Sequence, residues 1–277
     1  VLKNEIIEIS ELETLGDDYI TSLKFYPGKL ACGTSSGLLS IYDYNNERLI
    51  SKTTTTNSML SIEWIDNNTI IIGDMNGKIN ILDLRKSNAD AIQYNTCTDK
   101  IAGIKYKNNI LASGSNDNKL CLFDIRSNNV LCVKNDYNAC VKGLDWCPWD
   151  SKILATSAGT GDRRIRIFNT ETLEFVNEIN TGSQVSSVLY NSNDKTLVSS
   201  HGYIDNNLSI WSSSFEKIHD VKNEGRILSL CKNKKSTIFL SACADGKLKF
   251  WNLSDEKSIK KNNNRNSLLL SVAPSIR

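Results

Sequence analysis

Val141–Asn169 reads VKGLDWCPWDSKILATSAGTGDRRIRIFN, and its closing phrase, Arg164–Asn169 (RIRIFN), decides the fold. Apolar residues alternate with polar ones and the phrase closes on an aromatic and an Asn, a period of two that belongs to a strand. Five further copies occur: Leu38–Asp43 (LLSIYD), Lys78–Asp83 (KINILD), Lys119–Asp124 (KLCLFD), Asn207–Ser212 (NLSIWS) and Lys247–Asn252 (KLKFWN). Counted between last residues, the steps are 40, 41, 45, 43 and 40. Four-stranded β-propeller blades repeat at this spacing, and the period of two excludes a helical solenoid.

The interior of the quoted unit supplies the other strands. Val130–Val133, Val141–Trp146, Ile153–Ser157 and Arg164–Phe168 read as four strands of one blade, with Pro148, Gly159 and Gly161 marking turns. The expected fold is all-β: a propeller with six complete four-stranded blades over residues 1–257. Glu5–Leu12 (EIIEISEL) reads as an outermost strand whose own blade is missing. It either closes a six-bladed ring by completing the last blade or is the remnant of a truncated first blade. Residues 258–277 open on the polar run SIKKNNNR and are expected to be a flexible tail ending in Ile-Arg.

Composition narrows the function. With 33 Lys and Arg against 31 Asp and Glu, no global field draws the chain to nucleic acid or to an anionic membrane. The longest apolar runs, such as Ile70–Ile72 and Leu268–Leu270, are far too short for a spanning helix. The eight cysteines are scattered without a C-x-x-C pair, which fits a reducing compartment. The chain starts at Val1 rather than Met and shows no signal segment, so an upstream part is expected to be missing.

Chemistry is thinly provided. There are two His: His201, between two strands in SSHGY, reads as a ring satisfied by hydrogen bonds, and His219 as a surface residue. Cys140 and Cys147 lack a second pair at zinc spacing. No strand feeds a helix through a glycine-rich phosphate loop. No catalytic residue, metal or cofactor is expected, and the chain is read as a non-enzyme.

The informative positions lie just before each innermost strand, where a propeller blade meets the rim of the central channel. They are Tyr19, Ser58, Lys100, Cys140, Gln184 and Arg226, six equivalent places with almost nothing in common. The turns between third and fourth strands add Asn116, Asp117, Asn118 and Thr160. Such a rim either reads a ligand or varies because it is solvated. A guanidinium fork, amides and a flat phenol would suit a short extended peptide of mixed charge.

Val141–Asn169, followed by Thr181–Tyr190 (TGSQVSSVLY) and Ser199–Tyr203 (SSHGY), resembles the Fizzy-type WD-repeat activators of the anaphase-promoting complex. The W-C-P-W, G-T-x-D-R-x-I-R and S-Q-V elements, in that order, are specific to this family. The resemblance extends from about Asp18 to the end, through Tyr19–Ser22 (YITS), Gly33–Ser36 (GTSS), Ser113–Lys119 (SGSNDNK) and the final Ile276 and Arg277. It implies a seven-bladed propeller, which favours the truncated first blade. It also implies a non-enzymatic adaptor, nuclear and cytoplasmic, that binds degradation motifs for cell-cycle protein destruction. A generic WD-repeat scaffold outside ubiquitination is the alternative.

By position, the resemblance assigns a KEN-box receptor to Tyr19, Asn116, Asn118, Thr160, Gln184 and Arg226. Arg226 and Gln184 would take the Glu carboxylate, and Asn116 and Asn118 the Asn and backbone. Ile276 and Arg277 would dock on a TPR subunit of the ligase, and checkpoint inhibitors are a further partner class. Two features depart from the pattern. The Arg-containing C-box upstream of the propeller is absent from these residues, so this chain alone is not expected to activate the ligase. At the destruction-box groove the expected acidic position is Gly246, with Asp245 beside it as the substitute.

Overall fold

Ile70, Ile71 and Ile72 run consecutively on one strand and all three are buried, which a sheet permits only when both of its faces are covered. Ile70 and Ile72 enter one hydrophobic cluster with Leu39, Ile41 and Met59, while Ile71 enters another with Ile101, Ile104 and Phe123. Full burial of one such side chain contributes about 1.5–3 kcal/mol. Stacked sheets of this kind account for the short, strongly apolar strands throughout the sequence.

A computed structural model describes residues 18–86 and 92–252. They form two compact units, one holding the residues up to Asp117 with Cys121–Val133, the other Asn118–Leu120 with the residues from Lys134. The first unit contains three antiparallel sheets. They are β1 (Ile20–Tyr26), β2 (Lys29–Thr34), β3 (Leu38–Asp43) and β4 (Arg48–Thr54); then β5 (Met59–Trp64), β6 (Thr69–Asp74), β7 (Ile79–Asp83) and β8 (Ile92–Tyr94); then β9 (Ile101–Lys107), β10 (Ile110–Ser115), β11 (Leu120–Asp124) and β12 (Asn129–Lys134). The second unit contains β13 (Val141–Trp146), β14 (Ile153–Ala158), β15 (Arg164–Asn169) and β16 (Glu174–Asn180); β17 (Gln184–Asn191), β18 (Thr196–Gly202), β19 (Asn207–Trp211) and β20 (Lys217–Lys222); and β21 (Ile227–Lys232), β22 (Ile238–Cys243) and β23 (Leu248–Asn252). The all-β blade architecture is as expected from the repeat.

Two readings are corrected. Val130–Val133 does not open the blade of Val141–Asn169: it lies in β12, which pairs with β11 of the preceding sheet, while β15 pairs with β16. Each outer strand turns straight back onto the strand before it, so the blade is offset from the sequence phrase by one strand. Nor are all six blades four-stranded, because among the described residues the last sheet has three strands. The candidate strand Glu5–Leu12 and the tail from residue 258 lie outside the described residues.

Every first strand carries a β-bulge at the same place. Its register with the second strand skips one residue: Thr21, Leu60, Ala102, Lys142, Ser186 and Leu228 in turn. A bulge re-aims the chain and deepens its twist. The hydroxyls of Thr21 and Ser186, on the skipped residues, donate to the carbonyls of Met59 and Ile227 at the start of the next sheet, the latter at 2.6 Å. At these two places the bulge therefore ties one sheet to the next.

Candidate functional site

The positions preceding the first strands are equivalent in the backbone. The carbonyls of Tyr19, Ser58, Lys100, Cys140 and Arg226 accept hydrogen bonds from the N–H of Ser35, Met75, Asn116, Gly159 and Ala244, at 2.9–3.1 Å. Gln184, the first residue of β17, pairs in register with Gly202. Main-chain bonding holds each place open without using the side chain.

In the second unit the structure brings Gln184 and Arg226 together through Gly202. A Cβ on Gly202 would lie 2.4 Å from Arg226 Cγ and 2.8 Å from Cδ, so only glycine leaves room for the arginine stem. The guanidinium then stacks on Tyr203, 4.3 Å from the ring centroid, a cation–π contact. Tyr203 is 63% exposed and adopts a φ of 71°, a left-handed conformation that costs a non-glycine residue roughly 1–2 kcal/mol. Two polar atoms here are buried without a hydrogen-bond partner, Gln184 Oε1 and Arg226 Nε. One is an acceptor and the other a charged donor, and each costs about 1–3 kcal/mol while unpaired.

Thr160 is exposed on the β14–β15 turn of the same unit, where its carbonyl accepts from Arg163 Nε at 2.8 Å. The turn is anchored beneath it. Asp162 is fully buried and pairs with Arg166 Nη1 at 2.9 Å, while its Oδ2 accepts from the N–H of Asn138 at 2.8 Å. Arg166 also reaches Glu178 at 2.8 Å and lies 4.6 Å from the Tyr137 ring. The G-T-x-D-R-x-I-R element thus holds a structural ion pair with one exposed hydroxyl at its tip.

Asn118, assigned to the second unit, takes a φ of 65°, a value that asparagine tolerates better than most residues. Asp245 is exposed on the β22–β23 turn. Partial desolvation acts to raise its pKa, but the Lys247 amide and ammonium, the latter at 3.3 Å, hold the carboxyl below its ordinary value. Gly246 beside it has a φ of 78° and nothing within 4 Å of where a Cβ would be.

The other two candidates belong to the first unit. Tyr19 is 64% exposed, and its N–H is held by Asp18 Oδ1 at 3.0 Å. Asn116 is exposed, and its side-chain amide donates to Asp99 Oδ2 at 2.6 Å, which lowers the Asp99 pKa. Asp117 is used by the fold: its Oδ2 accepts from the N–H and hydroxyl of Thr98 at 2.9 and 3.1 Å. Ile276 and Arg277 lie outside the described residues.

His201 is a core residue. It is 1% exposed, its ring nitrogens meet Ser183 Oγ at 3.1 Å and Ser199 Oγ at 2.7 Å, and Ser199 also accepts from Trp211 Nε1 at 2.7 Å. Burial pushes its pKa from 6.5 down to about 4. In the S-Q-V element, Ser183 therefore holds the histidine, Gln184 opens β17 opposite Gly202 and Val185 enters the core. Reading the sequence singled out Gln184 and Arg226 but gave Gly202 and Tyr203 no role. The available signal was a glycine ending a strand run immediately before an aromatic.

The CDC20/Fizzy WD40 domain model matches residues 1–251. The WD repeat-containing protein slp1 of Schizosaccharomyces pombe is 32% identical over 90% of this chain and 53% of its own length. Cell division cycle 20.1, cofactor of APC complex, from Arabidopsis thaliana is 31% identical over 88% of this chain and 57% of its own. The APC/C activator protein CDH1 of Saccharomyces cerevisiae is 30% identical over 83% and 42%. The chain thus spans about half the length of these relatives. A crystal structure of the mitotic checkpoint complex contains a chain that is 32% identical, with a TM-score of 0.83 over 87% of this chain and 77% of that one. With the blade sheets, the bulge in every first strand and the decoded S-Q-V and G-T-x-D-R-x-I-R elements, these likenesses show that the chain belongs to the CDC20/Fizzy WD40 family, a family of non-catalytic scaffolds.

Proposed function

We propose that the chain is the substrate-recruiting propeller of an anaphase-promoting-complex activator, an adaptor that captures KEN-type degradation motifs and presents their bearer for ubiquitin transfer. The observation that carries the peptide-binding half is the pair of buried, unpartnered atoms Gln184 Oε1 and Arg226 Nε, joined through Gly202. An extended peptide answers both: its Glu carboxylate accepts from Arg226 and an N–H donates to Gln184. Thr160 and Asn118 of the same unit supply further polar contacts. Tyr19 and Asn116 are proposed as peptide contacts of the first unit.

The ligase half rests on relatives named as activator and cofactor of that complex. Ile276 and Arg277 are the proposed docking residues for a TPR subunit, and Asp245 the acidic group proposed to meet the Arg of a destruction box. The likeness to a checkpoint-complex chain supports inhibitory checkpoint proteins as a third partner class. Activity in both nucleus and cytoplasm is part of the same proposal. Single motifs bind weakly, so several on one substrate would act through effective concentration.

The test is titration of a labelled KEN peptide. A charge-assisted contact is worth about 1.5–3 kcal/mol, so Arg226→Ala is expected to weaken binding ten-fold or more; unchanged affinity sinks the assignment. Deleting Ile276 and Arg277 is expected to reduce ligase binding and leave the peptide affinity intact.

A further inference from the structure

At the end of β17 far from Gln184, the second unit holds a cavity of about 210 Å³ between the sheet of β13–β16 and that of β17–β20. Ile167, Leu197 and Phe215 line it with apolar surface, and Tyr190 lines it beside Trp149. Tyr190 is 2% exposed, yet its hydroxyl has no hydrogen-bond partner. Native folds leave few such groups unpaired, and each one calls for a reason. Burial raises the phenol pKa, and Cys147, Asp145 and Asp150 raise it further, so the oxygen keeps its proton and offers a donor.

The mouth is as unusual as this hydroxyl. The β13–β14 connection, Cys147–Lys152, is the longest first hairpin of the six sheets. It places Trp149 at the opening, 38% exposed and edge-on to Tyr190 at 5.3 Å. Val176, which also lines the cavity, is 54% exposed. An exposed indole beside an apolar cavity is typical of the anchors of protein interfaces. Asp150 and Lys195 also line the site and give its rim both signs of charge. The volume is below the range of pockets for drug-sized ligands and matches a single large side chain.

We propose that this cavity is a second peptide-docking site, separate from Gln184 and Arg226, for a partner-protein segment with one large apolar residue flanked by a basic and an acidic one. The anchor side chain fills the cavity beneath Trp149, its backbone carbonyl accepts from the Tyr190 hydroxyl, and the flanking charges face Asp150 and Lys195.

The probes are the pentapeptides Gly-Lys-Leu-Glu-Gly and Gly-Glu-Leu-Lys-Gly, titrated against the full chain by saturation-transfer NMR, with Gly-Lys-Gly-Glu-Gly as control. At least one leucine peptide is expected to saturate in the high-micromolar to millimolar range while the control does not. Trp149→Ala abolishes that binding. Tyr190→Phe removes only an unpartnered oxygen, so it weakens binding five-fold or more and leaves the melting temperature unchanged or higher. KEN-peptide affinity is the same in both variants. The proposal is overturned if neither leucine peptide saturates the unmodified chain or if binding survives both substitutions. It is equally overturned if Tyr190→Phe lowers the melting temperature, which would mean the hydroxyl already has a partner, or if the KEN peptide is lost with the pentapeptides.

Discussion

Acidification should destabilise this fold through one residue, and the size of the effect follows from its surroundings. Burial lowers the His201 pKa from 6.5 to about 4, with Asp220 and Asp205 opposing that shift and Lys217 adding to it. The folded state therefore binds the proton less readily than the unfolded one. The stability His201 contributes is complete above pH 6.5 and is lost as pH falls through 6.5 towards 4. Linkage puts the full loss at about 3 kcal/mol, of which about 2 kcal/mol is gone by pH 5. No discount for screening applies, because the ring is 1% exposed. Urea unfolding at pH 7.0 and pH 5.0 reads this directly: with an m-value of about 3 kcal/mol/M, the midpoint falls by about 0.7 M. His201→Gln cannot titrate, so its midpoint should start lower and move less. The difference between the two shifts isolates His201 from every other titrating group. Equal shifts in both proteins would refute the argument, since the pH dependence would then arise elsewhere.

Three further outcomes are expected. Arg166→Ala leaves the buried Asp162 carboxylate without its counter-ion and should cost about 3–5 kcal/mol by urea unfolding, far more than removal of an exposed pair such as Lys152–Glu171. Gly202→Ala puts a methyl 2.4 Å from Arg226 Cγ, so KEN-peptide affinity should fall about as far as in Arg226→Ala, at a stability cost of about 1–3 kcal/mol. Tyr203→Gly relieves a positive φ while removing the ring under the guanidinium; thermal unfolding should show no loss of stability, and peptide titration a several-fold loss of affinity.

Strand positions were legible because period two and turn residues are local. Val141–Trp146 was read with its observed ends, and Ile153–Ser157 falls one residue short of β14. Sheet membership was harder. Nothing within Val130–Val133 says whether it pairs forward or back, and the answer depends on the tight turn that folds β12 onto β11. The six positions at the start of the first strands could be counted out from the phrase because the bulge holds the same place in every first strand. Their environments could not. The contact between Gly202 and Arg226 joins residues of different sheets, so it has no signature within either stretch of sequence.

The bulge also explains why the positions at the start of the first strands can vary. At Tyr19, Ser58, Lys100, Cys140 and Arg226 the carbonyl is fixed by the N–H that follows the second strand, and at Gln184 by strand pairing with Gly202. Where the skipped residue carries a hydroxyl, as at Thr21 and Ser186, it secures the start of the next sheet as well. Backbone bonding and the bulge thus specify the geometry of the place, and the fold asks little of the side chain that occupies it. Phenol, hydroxyl, ammonium, thiol, amide and guanidinium can all stand there at similar structural cost. Variation alone is therefore weak evidence for a binding surface, since solvated positions with a fixed backbone would vary too. What separates Gln184 and Arg226 from the other four is their unpaired buried atoms. A merely solvated side chain would have turned those atoms to water. Gly202, by giving up its own side chain, is what lets the arginine lie where its Nε is shielded.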